Sequence, residues 1–146
     1  MIVITNEEAL LRILAALIAG SLIGFSRRSY PAGIRTFTLI CLGSAIFTII
    51  SIDPVFQTPG SNVDPTRTIS QIVTGIGFLG AGVIWKLGGK VGGLTTAAAI
   101  WTVASLGILF GMGEYVLGAA TTFLVLLVLV SKGPLEKLGI DKERKT

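Results

Sequence analysis

The sequence predicts an all-α transmembrane protein, a five-helix bundle with its N-terminus outside, its C-terminus cytoplasmic and a glycine-rich third helix at the centre. Three observations lead there. Of 146 residues, 51% are hydrophobic, only 14% are charged, and the charges are gathered between long uncharged runs. A soluble domain carries charge on about a quarter of its residues, so the composition argues against a water-soluble globule. The length suits one domain.

The uncharged runs are 13–26, 36–52, 68–85, 91–113 and 115–131. Crossing the hydrocarbon core takes about 20 apolar residues, with about 17 as a lower bound, and four runs meet that bound. The first does so if it starts near Ala9 and Arg12 snorkels to the interface. The predicted spans are 9–26, 36–52, 66–85, 94–112 and 115–131. Residues 1–131 then form one transmembrane domain, and 132–146 a short cytoplasmic tail that frays or lies along the membrane surface.

The first helix opens with Thr5 three residues before Glu8, a capping-box pattern, and its early acids suit the positive end of a helix. An acidic start is also wrong for a secretory signal peptide, which wants a basic one. The second helix follows Arg27, Arg28 and Arg35 and contains the lone Cys41, which reads as a small hydrophobe. A long connection with Pro54, Pro59, Gly60 and Asn62 leads to Asp64-Pro65, an N-cap followed by proline at the first helical position.

The third helix carries Gly75-Ile76-Gly77-Phe78-Leu79-Gly80, letter for letter a dinucleotide-binding fingerprint. That reading needs a preceding strand and a later acid, and neither is present. Close packing is the better reading, because small residues let membrane helices approach one another. Gly75, Gly77, Gly80, Ala81 and Gly82 make this helix narrow on several faces, hence its expected central place. The GxxxG pairs Gly20 with Gly24 and Gly107 with Gly111 are positioned to receive it or to make a dimer contact. Local unwinding that bares carbonyls to a cation is the functional alternative. A glycine turn at 86–93 leads to a fourth helix opened by Thr95 and Thr96, whose Trp101 reads as packing; Trp85 and Tyr115 read as interfacial.

Basic residues mark the first connection, the third connection and the tail, while the second and fourth are acidic or mixed. The positive-inside rule sets the orientation from this alternation. The net charge of +4 is therefore mostly a topology signal, with weak attraction to anionic lipids as a consequence. Nothing in it suggests a nucleic-acid surface.

Two polar groupings stand out. Asp64, Arg67 and Gln71 share a helix face, as a mouth for an ion or polar solute or, the preferred reading, as a cap, a lipid or ion-pair contact and an interhelical bond. Arg27, Arg35, Thr36, Thr95 and Thr96 gather at helix starts on the inner side, either as an anion site or, preferred, as topology and capping. Any metal site is left open; Asp53 with Asp64 is the one magnesium pairing the sequence offers. Histidine is absent and no nucleophile has an oriented base, so no enzyme and no cofactor are expected. A faint echo at an offset of 60 matches Gly20 with Gly80, Gly33 with Gly93 and Thr36 with Thr96, the pattern of a parallel repeat.

Residues 20–27, 32–36, 71–82 and 93–98, above all the long glycine motif followed by Gly93-Leu94-Thr95-Thr96-Ala97-Ala98, resemble the MgtC/SapB family of bacterial membrane proteins. The resemblance is to a short form lacking the soluble C-terminal domain of some members. It implies a multipass protein of the bacterial inner membrane with five spans, an external N-terminus and a link to growth under magnesium limitation. In some pathogens the family is tied to survival in host cells. Ser26 stands where the family usually has Glu. Two functions follow: a non-enzymatic factor in magnesium homeostasis acting by helix contacts with itself or a membrane partner such as the ATP synthase, or a carrier of magnesium or a small solute along the third helix.

Overall fold

The computed structural model describes residues 4–30, 32–56 and 64–131. The predicted tail at 132–146 and Pro59, Gly60 and Asn62 of the loop lie outside them. Five helices follow in order: α1 (Asn6–Ser26), α2 (Ile34–Ile52), α3 (Pro65–Gly82), α4 (Leu94–Met112) and α5 (Tyr115–Val130). A short 3-10 turn, Pro54–Phe56, follows α2, and a hairpin of β1 (Trp85–Leu87) and β2 (Lys90–Gly92) joins α3 to α4.

Local chemistry explains the boundaries. The Thr5 hydroxyl accepts from the Glu8 N–H at 3.2 Å, and the Asp64 carboxylate accepts from the Thr66 N–H at 2.9 Å, with Pro65 opening α3. Each satisfies a backbone donor left free in a first turn. Gly93 and Gly113 bound α4 with φ of 85° and 86°. The hairpin turns on Gly88 and Gly89, whose positive φ values of 55° and 82° are what a tight two-residue connection between antiparallel strands demands.

Contacts between helices fix their directions. Gly20 packs on Phe37 and Cys41 while Gly24 packs on Ile34, so α1 and α2 are antiparallel. Gly107 meets Cys41 and Ser44, and Gly111 meets Ala45 and Thr48, so α2 and α4 are parallel. The helix between them, α3, must therefore run back the other way. All five alternate in direction, and the ends of α1, α3 and α5 share one side with the starts of α2 and α4. We call that side inner and the opposite side outer.

Close approach builds the core. A Cβ on Gly20 would lie 2.8 Å from that of Cys41, one on Gly24 2.6 Å from the Ile34 Cα, and one on Gly111 2.7 Å from the Ala45 carbonyl oxygen. A Cβ on Gly107 would collide with the Cys41 carbonyl oxygen. Around these contacts α1, α2 and α4 bury Ile23, Phe37, Cys41, Ile100, Val103 and Leu106. Gly118 seats the Phe110 ring and brings α5 alongside.

The expected central place of the third helix is not what forms. Gly80 is the only residue of α3 that is buried, and a Cβ at Gly75, Gly77 or Gly82 would meet nothing within 4 Å. Ala81 is exposed too. The helix touches its neighbours through Ile72, Ile76 and Gly80, a spacing of four that covers one face only. The centre belongs to α4, which contacts each of the other four helices. Trp101, expected to pack, faces outward at 52% exposure.

Candidate functional sites

The inner-side grouping divides in three. Arg27 follows the last turn of α1 and is 3% exposed, with Nη2 donating to the Thr96 hydroxyl at 2.8 Å in the first turn of α4. Its guanidinium lies 3.5 Å from the centre of the Tyr30 ring, and its Nε is buried without a hydrogen bond. Burial pulls this guanidinium below its usual pKa, partly offset by Tyr30. Arg27 thus joins the end of α1 to the start of α4 by a charge-assisted bond. The other residues lie apart from it. Arg35 and Thr36 are exposed and share a crevice of about 380 Å³ with Arg28 and Tyr30 at the start of α2. Thr95 is exposed in the groove between α4 and α5. The five residues do not form one site.

The outer-side grouping is held on α3. Asp64 accepts from both the backbone N–H and the hydroxyl of Thr66, the latter at 2.7 Å. Those bonds, with the nearby Arg67 charge, hold its carboxyl below the usual range. Arg67 and Gln71 are exposed, and Gln71 lines an apolar groove of about 500 Å³ between α2 and α3. The three residues mark the outside of the bundle rather than its interior. Asp53, the other acid considered for magnesium, is buried at the end of α2 and accepts from the Val55 N–H at 3.0 Å. No group of three metal-ligating side chains occurs among the described residues.

Sequence reasoning missed the second buried arginine. Instead of snorkelling, Arg12 is 8% exposed and donates through Nη1 to the Gly111 carbonyl at 2.8 Å, while Nη2 pairs with Glu8. A cation thereby meets the negative end of α4. The signal available was the i, i+4 spacing of Glu8 and Arg12. Gly118 was missed as well; it stands four residues before Thr122, a small-xxx-small pattern.

The pattern that defines the MgtC family matches residues 13–138, which is most of the chain. The chain belongs to the MgtC family. It is 38% identical over 139 residues to Protein SrpB of Synechococcus elongatus, covering 88% of this chain and 76% of SrpB. YhiD of Escherichia coli K12, provisionally named a magnesium transporter, is 42% identical over 129 residues, or 85% of this chain and 60% of YhiD. Protein MgtC of Salmonella typhimurium LT2 is 43% identical over 119 residues, or 80% of this chain and 49% of MgtC. The chain therefore spans about half to three quarters of these relatives. No solved structure matches it. Like its family, this MgtC-type chain presents membrane-spanning helices: α1, α2 and α4 are long and apolar enough to cross a bilayer, and α5 is shorter but equally apolar.

Proposed function

We propose that this MgtC-family chain is a non-enzymatic protein of the bacterial inner membrane that serves magnesium homeostasis through helix contacts, with itself or with another membrane protein, rather than by moving magnesium. The observation that carries this reading is the placement of polarity. The core shared by α1, α2 and α4 is apolar but for buried hydroxyls on α2, of which Thr48 and Ser51 donate to carbonyls of their own helix; its two buried arginines are engaged with helix ends, and Asp64, Arg67 and Gln71 lie outside it. Among the described residues, a core held in this way supports packing of helices over passage of an ion between them. The inner end carries Arg27, Arg28, Arg35, Lys86 and Lys90, and the outer end Glu7, Glu8, Asp53, Asp64 and Glu114 with only Arg12 and Arg67 as basic residues among those described. That asymmetry supports a cytoplasmic inner end and an external N-terminus.

The test is reconstitution of the purified chain in liposomes with a magnesium-sensitive dye inside. No flux above protein-free liposomes is expected. Robust flux that disappears in Asp64→Ala or Gln71→Ala would overturn the reading. It would favour instead a carrier with its path along α3, to which the name of YhiD and the outward polar face of α3 lend support.

A further inference from the structure

Two features of α3 are unmet within one copy. The first is its composition. The parallel course of α2 and α4 obliges α3 to cross between them, yet it is not among the helices apolar enough to span on their own. Arg67, Ser70, Gln71 and Thr74 are all exposed on it, and the Gln71 side chain has no hydrogen-bond partner among the described residues. Polar side chains at membrane depth belong against protein, not against hydrocarbon.

The second is the groove between α2 and α3, lined by Gly43, Phe47, Thr68, Gln71, Gly75 and Leu79 among others. The sixty-residue echo shows what such a groove accommodates. A Cβ on Gly20 would lie 3.0 Å from the Phe37 carbonyl oxygen, and one on Gly80 would lie 3.8 Å from the carbonyl oxygen of Ala97. The second pair stands 60 residues after the first at both members, so α3 and α4 repeat the arrangement of α1 and α2. In the first arrangement, α5 packs beside α1 and α4, and Ala15 and Ala19 line the α1 side of that seam. Sixty residues on stand Gly75 and Leu79, which line the open groove. The groove is the counterpart of a seam that already holds a helix, and that helix, α5, runs parallel to α1.

We propose that the α2–α3 groove seats α3 from a second copy of the chain, the two copies being related by a two-fold axis along the membrane normal. Such an axis keeps the two α3 helices parallel, the direction α5 has relative to α1, and sets equal depths against each other. An amide both donates and accepts, so Gln71, which lines the groove, is matched by its own copy. At the outer end, Asp64 and Arg67 carry opposite charge three residues apart, so each copy offers the other a carboxylate and a guanidinium at one level. The empty space over Gly43 and Gly75 admits a close helix. One contact pairs Gln71 with its copy and fills the groove together. This rests on the reading that the protein works by helix contacts, and it names the partner and the face.

The test uses the full chain in native membranes with Cys41, the single cysteine, replaced by alanine. Gln71→Cys, which lies in the groove, and Val128→Cys, on the exposed side of α5, are oxidised with copper phenanthroline. Disulfide-linked pairs are expected for Gln71→Cys, exceeding Val128→Cys by about tenfold, a difference worth ~1.4 kcal/mol. Adding Gly75→Leu puts a side chain into the groove from a position where a Cβ meets nothing within 4 Å in the same copy. It should abolish the Gln71→Cys pairs while leaving helical content and thermal midpoint intact. Equal linking at both positions, no linking at Gln71→Cys, linking to a different protein, or indifference to Gly75→Leu overturns the proposal. Magnesium flux in liposomes bears on the functional reading alone, so the two fail separately.

Discussion

The α1–α2–α4 core and the α3 helix use glycine in opposite ways. In the core, Gly20, Gly24, Gly107 and Gly111 each mark a place where another backbone or side chain has come too close for a Cβ. On α3, Gly75, Gly77 and Gly82 face open space. Glycine costs a helix about 1 kcal/mol relative to alanine. In the core that cost is repaid by packing inside the chain, whereas on α3 nothing in the same copy offsets it. Small residues thus report that a helix will be approached closely, without saying whether the approaching helix belongs to the same molecule.

The sharpest way to break this comparison is to add one methyl group in each region. Gly107→Ala must push α2 and α4 apart at Cys41, and overpacking of that kind costs about 1–3 kcal/mol. Gly82→Ala adds its methyl in open space and is expected to stabilise the chain by up to about 1 kcal/mol. Detergent-solubilised protein followed by thermal unfolding gives both signs in one experiment. Two changes of the same sign and size would mean the two regions do not differ as described.

Arg12 tests whether the tight region also depends on its one bridge from α1 to the end of α4. Arg12→Met keeps a long apolar side chain but removes the donor from the Gly111 carbonyl, which should cost about 1–3 kcal/mol. Glu8→Gln weakens only the ion pair with a partly exposed carboxylate, for which about 0–1 kcal/mol is expected. The order of the two thermal midpoints is the measurement. If Glu8→Gln is the more damaging, the ion pair rather than the helix-end bond holds Arg12 in place.

The existence of the five helices was legible because long uncharged runs bounded by caps and glycines are a direct signal of apolar helices. Their arrangement was less so. Glycine content placed α3 at the centre, but the spacing of Ile72, Ile76 and Gly80 describes a helix with one inward face, and that spacing was in the sequence. The inner arginines read as topology until folding separated Arg27, which is buried on Thr96, from Arg35, which is exposed. That distinction depends on which turn of α4 comes to lie beside the end of α1, a long-range contact that local pattern does not encode.

The smallest expected effect concerns the loose region and separates Asp64 as a helix cap from Asp64 as a charge. The Thr66 hydroxyl and N–H donate to the ionised carboxylate and, with Arg67, lower its pKa in the folded chain relative to the unfolded one. The stabilisation is therefore complete above the ordinary carboxylate value and is lost as pH falls through the lowered one. Asp64→Ser keeps an acceptor for the first turn of α3 but cannot titrate in this range. Between about pH 5 and pH 2, across the carboxylate range, the wild-type chain should lose slightly more stability than Asp64→Ser, and the remaining acids are common to both. Parallel pH profiles would mean that capping, not charge, is all Asp64 contributes to α3. The outer end of a two-fold α3 contact would then have to hold without its ionic complement.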